Sequence, residues 1–124
     1  MAECRILVVD DDRVIHTVVR AAIEKHGYKV FSGFDTMQAP MLARQLKPDL
    51  ILLDINMPGG GGFEAFRRLQ MMSWTAPIPV LVYSALSLAD VSQQIPQSPS
   101  VAYLAKPALP EDILAAVRKL LPHT

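Results

Sequence analysis

Pro48-Asp49-Leu50-Ile51-Leu52-Leu53-Asp54-Ile55-Asn56-Met57-Pro58-Gly59 is the stretch that decides the fold of this chain. From Asp49 to Leu53 the residues are mostly branched and apolar, with no alternation, and Lys47-Pro48 leads into them. A run that short, apolar on both faces, predicts a buried central strand of a parallel sheet. Asp54 then stands at its carboxyl end, where open α/β sheets place their ligands. Met57-Pro58 and four glycines predict a loop leading away from it. A carboxylate at that point is either a strand-end cap or a chemical group, and the flanking sequence has to decide between them.

Working outward, Ile6 to Val9 repeats the buried-strand pattern, and Asp10, Asp11 and Asp12 follow. Val14, Ile15, Val18, Val19, Ala22 and Ile23 recur at helical spacing, with Asp12 as N-cap and Gly27 as the stop. His16 and His26 read as surface residues. Tyr28 to Phe34 is a strand. A helix then reaches Leu46, capped by Asp35 or Thr36, or starting near Ala39 with Pro40 at its first position. On the far side of Asp54, Gly59 to Gly62 reads as a mobile connection, since no Lys-Ser/Thr ending makes it a nucleotide loop. A helix from Phe63 to Met71 follows, and then a loop in which Trp74 is either an exposed contact or, the reading favoured, a cover for the core edge. Val80 to Val82 starts a fourth strand, followed by Tyr83, Ser84 and Ala85. Leu86 to Ile95 is a short helix ended by Pro96 and Pro99. Val101 to Ala105 is a fifth strand, followed by Lys106-Pro107, and Leu109 to Leu121 is the last helix.

Five repeats of strand then helix predict an α/β fold with a five-stranded, doubly wound parallel sheet and right-handed crossovers. The chain has 124 residues, 51% apolar and 19% charged, which is one globular domain spanning 1–124. Its formal net charge is zero, so there is no electrostatic case for nucleic acid or an anionic membrane. No apolar run is long enough for a bilayer, and no signal peptide opens the chain. The single cysteine, Cys4, cannot form an internal disulfide, and a cytoplasmic setting is expected.

The polar residues at the strand ends are Asp10 and Asp11, Asp54, Ser84 and Lys106. On one sheet edge they converge. At about 4 Å and an effective dielectric near 20, each carboxylate pair costs roughly 4 kcal/mol, more than one lysine offsets. A hard divalent cation does offset it, and an all-oxygen set favours Mg²⁺ over Zn²⁺. Such a site has what phosphoryl transfer needs: Asp54 as nucleophile, Lys106 as a point charge, and Ser84 as a hydrogen-bond donor.

Ile-Leu-Val-Val-Asp-Asp-Asp at 6–12, Leu-Asp-Ile-Asn-Met-Pro-Gly at 53–59, Ser-Ala at 84–85 and Tyr-Leu-Ala-Lys-Pro at 103–107 together resemble the receiver domain of two-component response regulators. The resemblance covers essentially the whole chain, in order. It implies a flavodoxin-like strand order 2-1-3-4-5. It implies that Asp54 accepts phosphate from a sensor histidine kinase or a histidine phosphotransfer protein. Asp11 matches a direct Mg²⁺ ligand and Asp10 its companion; Asn56 matches the residue whose carbonyl binds the ion. Ser84 matches the switch hydroxyl, Tyr103 the switch aromatic, and Lys106 the phosphate-pairing lysine, usually before a cis proline bond. The downstream partner is unknown.

The chain also departs from the family pattern. Ser98-Pro99-Ser100 replaces the usual Gly-Ala, which with Pro96 makes helix four short or irregular and leaves dimerisation open. Gly61 replaces a polar residue, implying a looser loop. Leu86 is apolar where the family tunes hydrolysis, so it is expected to hinder water. Asn56 stands where a haloacid-dehalogenase-like phosphatase carries a second Asp, which disfavours that enzyme. Two further rivals are a receiver-like module that is never phosphorylated and a flavodoxin-like flavin carrier, whose anionic flavin phosphate the acidic pocket disfavours.

Overall fold

A computed structural model describes residues 3–56 and 61–122 of the chain. Met57 to Gly60, and with them most of the expected glycine loop, lie outside the described residues. The elements alternate as expected. They are β1 (Cys4–Val9), α1 (Arg13–Ile23), β2 (Tyr28–Gly33), α2 (Ala39–Leu46), β3 (Leu50–Leu53), α3 (Gly62–Met71), β4 (Val80–Ser84), α4 (Leu88–Ser92), β5 (Val101–Ala105) and α5 (Pro110–Leu120). Neighbouring strands of the sheet pair in parallel, and the strand order is β2-β1-β3-β4-β5.

Side chains alternate across each strand, so every strand feeds two cores. Leu7, Val9, Ile51, Leu53, Val80 and Val82 pack against Ala39, Ala43, Ala65, Leu69 and Val91 of α2, α3 and α4. Ile6, Val8, Leu50, Leu52, Leu81 and Tyr83 pack against Val19, Ala22, Ile23, Ile113 and Val117 of α1 and α5. Helices therefore cover both faces, which is why Leu50 to Leu53 are apolar without alternation. Cys4 lies half-buried in β1, where burial and then the Asp49 charge push its thiol up to about 11.

Local chemistry explains the element ends. The Asp12 carboxylate accepts the Val14 N–H and starts α1. A 3₁₀ turn over Glu24–His26 extends that helix, and Gly27, at φ 96°, ends it in the left-handed region. Asp35 caps a 3₁₀ turn over Thr36–Gln38, and α2 follows from Ala39 with Pro40 in its first turn. The start near Ala39 thus holds, whereas the Asp35 cap serves the 3₁₀ turn and not α2, whose N-cap Gln38 makes no side-chain capping bond. α4 spans only five residues, shorter than the Leu86–Ile95 expected. Ile95 is nevertheless buried.

Three sequence readings are corrected. His16 is buried, not on the surface, while Val14, counted in the apolar stripe of α1, is 64% exposed. The helix phase that buries Val19, Ala22 and Ile23 brings position 16 inward and turns position 14 out. Trp74 is 52% exposed and lies under the Arg44 guanidinium, whose carbon sits 4.6 Å from the ring centre; it does not seal the core. The described glycines of the loop, Gly61 and Gly62, are not spacers. A Cβ on Gly62 would overlap the main chain of Ile55, and one on Gly61 would overlap the Thr36 hydroxyl.

Candidate functional site

Register brings the polar residues together. Val9 pairs with Leu53, so Asp10 and Asp54 are the next residues on neighbouring strands. Leu53 pairs with Val82, and Ser84 pairs with Ala105, which places Ser84 and Lys106 along the same edge. The Asp10 N–H is held by the Gly33 carbonyl at 3.1 Å and the Asp54 N–H by the Val9 carbonyl at 3.0 Å. The Lys106 N–H donates to the Ser84 carbonyl at 2.9 Å, and the Lys106-Pro107 bond is cis.

Lys106 joins the two buried carboxylates. Its Nζ lies 2.7 Å from Asp10 Oδ2 and 3.2 Å from Asp54 Oδ2. The other carboxylate oxygens take main-chain donors: Asp10 Oδ1 accepts the Asp12 N–H, and Asp54 Oδ1 accepts the Asn56 N–H, each at 2.9 Å. One oxygen from each of Asp10, Asp11 and Asp54 lies within 4.8 Å of the others. Asp10 and Asp54 are buried, and Asp11 is exposed.

Two buried carboxylates share one ammonium, and the third carboxylate, Asp11, lies close by. Burial is the largest influence on Asp10. It holds that carboxyl above its ordinary value despite the Lys106 contact and the Asp12 N–H, and the Asp54 charge adds to the rise. Burial works to lower the Lys106 ammonium, but its contacts with Asp10 and Asp54 outweigh burial and hold it above its usual range. The lysine thus stays charged while its carboxylate partner remains under-compensated. Such an all-oxygen, negatively charged, partly solvated cluster is fit to hold a hard divalent cation.

The remaining expected residues lie beside this cluster. Ser84 is buried, and its Oγ accepts the Leu86 N–H at 3.2 Å. Ser84 lines a cavity of about 110 Å³ together with Leu86, Val91 and Tyr103. Leu86 packs against the core. The Tyr103 hydroxyl is buried with no hydrogen-bond partner among the described residues, and burial raises its pKa. A buried polar atom left unpaired costs about 1–3 kcal/mol, so this ring is held at some expense. Asn56 is exposed and stands two residues after Asp54.

Sequence reasoning passed over one residue here and misplaced another. Tyr83 is fully buried, and its hydroxyl accepts the Ala108 N–H at 3.1 Å, fastening the chain just past Lys106-Pro107. The signal was available: Tyr83 alternates with Leu81 onto the α1/α5 face, and a buried tyrosine needs a partner for its tip. The other is His16, whose Nε2 lies 2.7 Å from the Asp10 carbonyl oxygen.

The family model of the response regulator receiver domain matches residues 6–118. This chain belongs to the response regulator receiver family. The transcriptional regulator RpaA of a Synechocystis species is 42% identical over 120 residues, covering 97% of this receiver chain and 50% of that protein. Protein PilH of Pseudomonas aeruginosa is 35% identical over 117 residues, covering 94% of this chain and 97% of PilH. The receiver chain thus spans about half the length of some curated relatives and nearly all of others. Among solved structures, the receiver domain of a Pseudomonas aeruginosa sensor histidine kinase has a TM-score of 0.84 and 27% identity, over 98% of this chain and 99% of that one. That structure carries a magnesium ion coordinated in its active site cleft. No described helix of the receiver chain is long and apolar enough to cross a membrane.

Proposed function

We propose that the chain is a phospho-switch in which Asp54 takes a phosphoryl group from a phosphohistidine donor with Mg²⁺ bound at Asp10, Asp11, Asp54 and Asn56. The observation that carries this reading is the Lys106 ammonium bridging Asp10 and Asp54, with Asp11 completing the oxygen cluster. Asp11 and the Asn56 carbonyl would hold the ion directly, and Asp10 through water. The ion supplies charge neutralisation for the incoming phosphoryl group. A carboxylate oxygen of Asp54 forms the new O–P bond as the P–N bond to the donor imidazole breaks, and the imidazole keeps the electron pair. Lys106 pairs with a phosphoryl oxygen, and the Ser84 hydroxyl donates to another. The chain catalyses only its own phosphorylation and dephosphorylation.

Ser84 and Tyr103 line one cavity, which supports their pairing as a switch. A Ser84 hydroxyl drawn toward phosphate changes the space open to the Tyr103 ring, and with it the α4-β5-α5 face that a downstream protein reads. The donor is a sensor histidine kinase or a histidine phosphotransfer protein. The receiver reading extends over 1–124. The zero formal charge supports a domain that does not itself bind nucleic acid.

Intact mass after incubation with acetyl phosphate tests this, with and without Mg²⁺, for wild type and Asp54→Ala. One phosphoryl addition that requires both Mg²⁺ and Asp54 is expected. A folded protein that gains no mass under any condition would instead be a receiver-like module that is not phosphorylated.

A pH dependence follows from Asp10. Its carboxyl is held above the ordinary value of 3.8, so a proton competes for the cluster at a higher pH than an exposed aspartate allows. Mg²⁺ affinity is expected to fall as pH drops from 7, with the fall beginning above the ordinary carboxylate range. Calorimetric titrations at pH 7, 6 and 5 check this; constant affinity over that span contradicts it.

A further inference from the structure

His16 is 4% exposed, and both of its ring nitrogens are engaged. Nε2 lies 2.7 Å from the Asp10 carbonyl oxygen, and Nδ1 lies 2.8 Å from Ser32 Oγ. A carbonyl only accepts, so Nε2 carries the hydrogen. Ser32 Oγ already accepts from Arg20 Nη2 at 3.1 Å, which leaves its own hydrogen to donate to Nδ1. The chain Arg20 to Ser32 to His16 to Asp10 is therefore closed, with every donor matched to one acceptor. Phe34 packs on the imidazole at 4.4 Å between ring centres and is itself covered by the Arg13 guanidinium, 4.3 Å from the Phe34 centre.

The Asp10 carbonyl belongs to the peptide plane that joins Asp10 to Asp11. That plane is rigid, so fixing its oxygen fixes the direction in which the chain leaves toward Asp11. On its other side the Asp10 N–H is fixed by Gly33 in β2. Asp11 has no such support of its own: it is exposed, and among the described residues no hydrogen bond reaches its side chain. Its carboxylate nevertheless comes within 4.8 Å of those of Asp10 and Asp54.

We infer that His16 is a positioning residue for the cation site: by holding the Asp10–Asp11 peptide plane, it aims the Asp11 carboxylate at the cluster. This rests on reading the cluster as the Mg²⁺ site. Groups that orient metal ligands from behind typically change affinity 10–100-fold when removed.

The test is calorimetric titration of Mg²⁺ into wild type, His16→Asn and His16→Gln. The glutamine amide reaches the place of Nε2 and keeps the bond to Asp10. The asparagine amide stands at the place of Nδ1 and loses it. His16→Asn is expected to bind Mg²⁺ about tenfold more weakly, and His16→Gln to stay within about twofold of wild type. Thermal unfolding without the cation is expected to drop alike in both, because both lose the ring packed on Phe34. Equal weakening in the two variants, or none in either, overturns the positioning role and leaves His16 as core packing. Should neither variant fold, Ser32→Ala spares the ring but frees Nδ1; about threefold weaker binding is expected, and unchanged binding overturns the role. A wild type that binds no Mg²⁺ overturns the cation-site reading itself, and this inference with it, whereas equal tight binding throughout overturns only the inference.

Discussion

Replacing Lys106 with alanine is expected to destabilise the metal-free protein by about 2–3 kcal/mol at pH 7. Removing one partner of a buried ion pair costs about 3–5 kcal/mol, because the other charge stays buried and uncompensated. Here the Lys106 side chain retains 18% exposure, so solvent screens part of that loss. Two carboxylates lose their counter-charge at once, since Nζ contacts both Asp10 and Asp54. The deficit has a pH signature. Asp10 already has a raised carboxyl pKa, and the loss of Lys106 raises it further. An acid whose folded-state pKa lies above its unfolded value favours the folded state at low pH and loses that contribution as pH rises through the folded value. The deficit of Lys106→Ala is therefore largest at neutral pH and shrinks toward the ordinary aspartate value of 3.8. Urea unfolding in chelator at pH 7 and pH 5, repeated with saturating Mg²⁺, measures it. The cation is expected to stabilise the variant more than the wild type. A variant as stable as wild type in chelator would mean that the carboxylates relax into water at no cost.

Gly62→Ala is expected to cost about 3 kcal/mol or more, against about 1 kcal/mol for Gly61→Ala. Neither glycine has a positive φ, so conformational freedom is not the reason. The difference lies in what the added methyl meets. At Gly62 it overlaps Cα, the carbonyl carbon and the oxygen of Ile55. Main chain cannot rotate aside, and Ile55 sits between Asp54 and Asn56, so relief must displace the site itself. At Gly61 the methyl meets the Thr36 side chain, which has a rotamer to turn to. Chemical denaturation ranks the two variants, and acetyl phosphate labelling reads the site. Equal costs at the two positions would mean that the α3 start shifts freely away from β3.

Much of this was legible in the residue order because the relevant forces are local or periodic. Leu50 to Leu53, apolar without alternation, marked the central strand, and each of its four residues is fully buried. Asp12 needed only its own i+2 neighbour to act as a cap. Asp10, Asp54 and Lys106 were placed at strand ends by the alternation of strands with helices, and a parallel sheet opens all such ends on one edge. The prolines around α4 announced its brevity, since each restricts the residue before it.

Other features depend on partners far along the chain, where periodicity carries no information. Whether His16 faces water or the sheet depends on α1 docking with a phase that exposes Val14, and on Ser32 arriving from β2. The sharing of one ammonium by Asp10 and Asp54 needs the register of β1 against β3 and the return of the chain at Lys106. The four-glycine run reads as slack in one dimension, yet Gly62 is required by the closeness of the Ile55 main chain in three. The order of residues thus carries the layers, the strand ends and the identity of the acidic cluster, because burial pattern and chain connectivity are one-dimensional quantities. The orientation of the Asp10–Asp11 peptide, the burial of the Tyr103 hydroxyl and the role of His16 were decided only by packing, which sets distances between residues that the chain itself keeps apart.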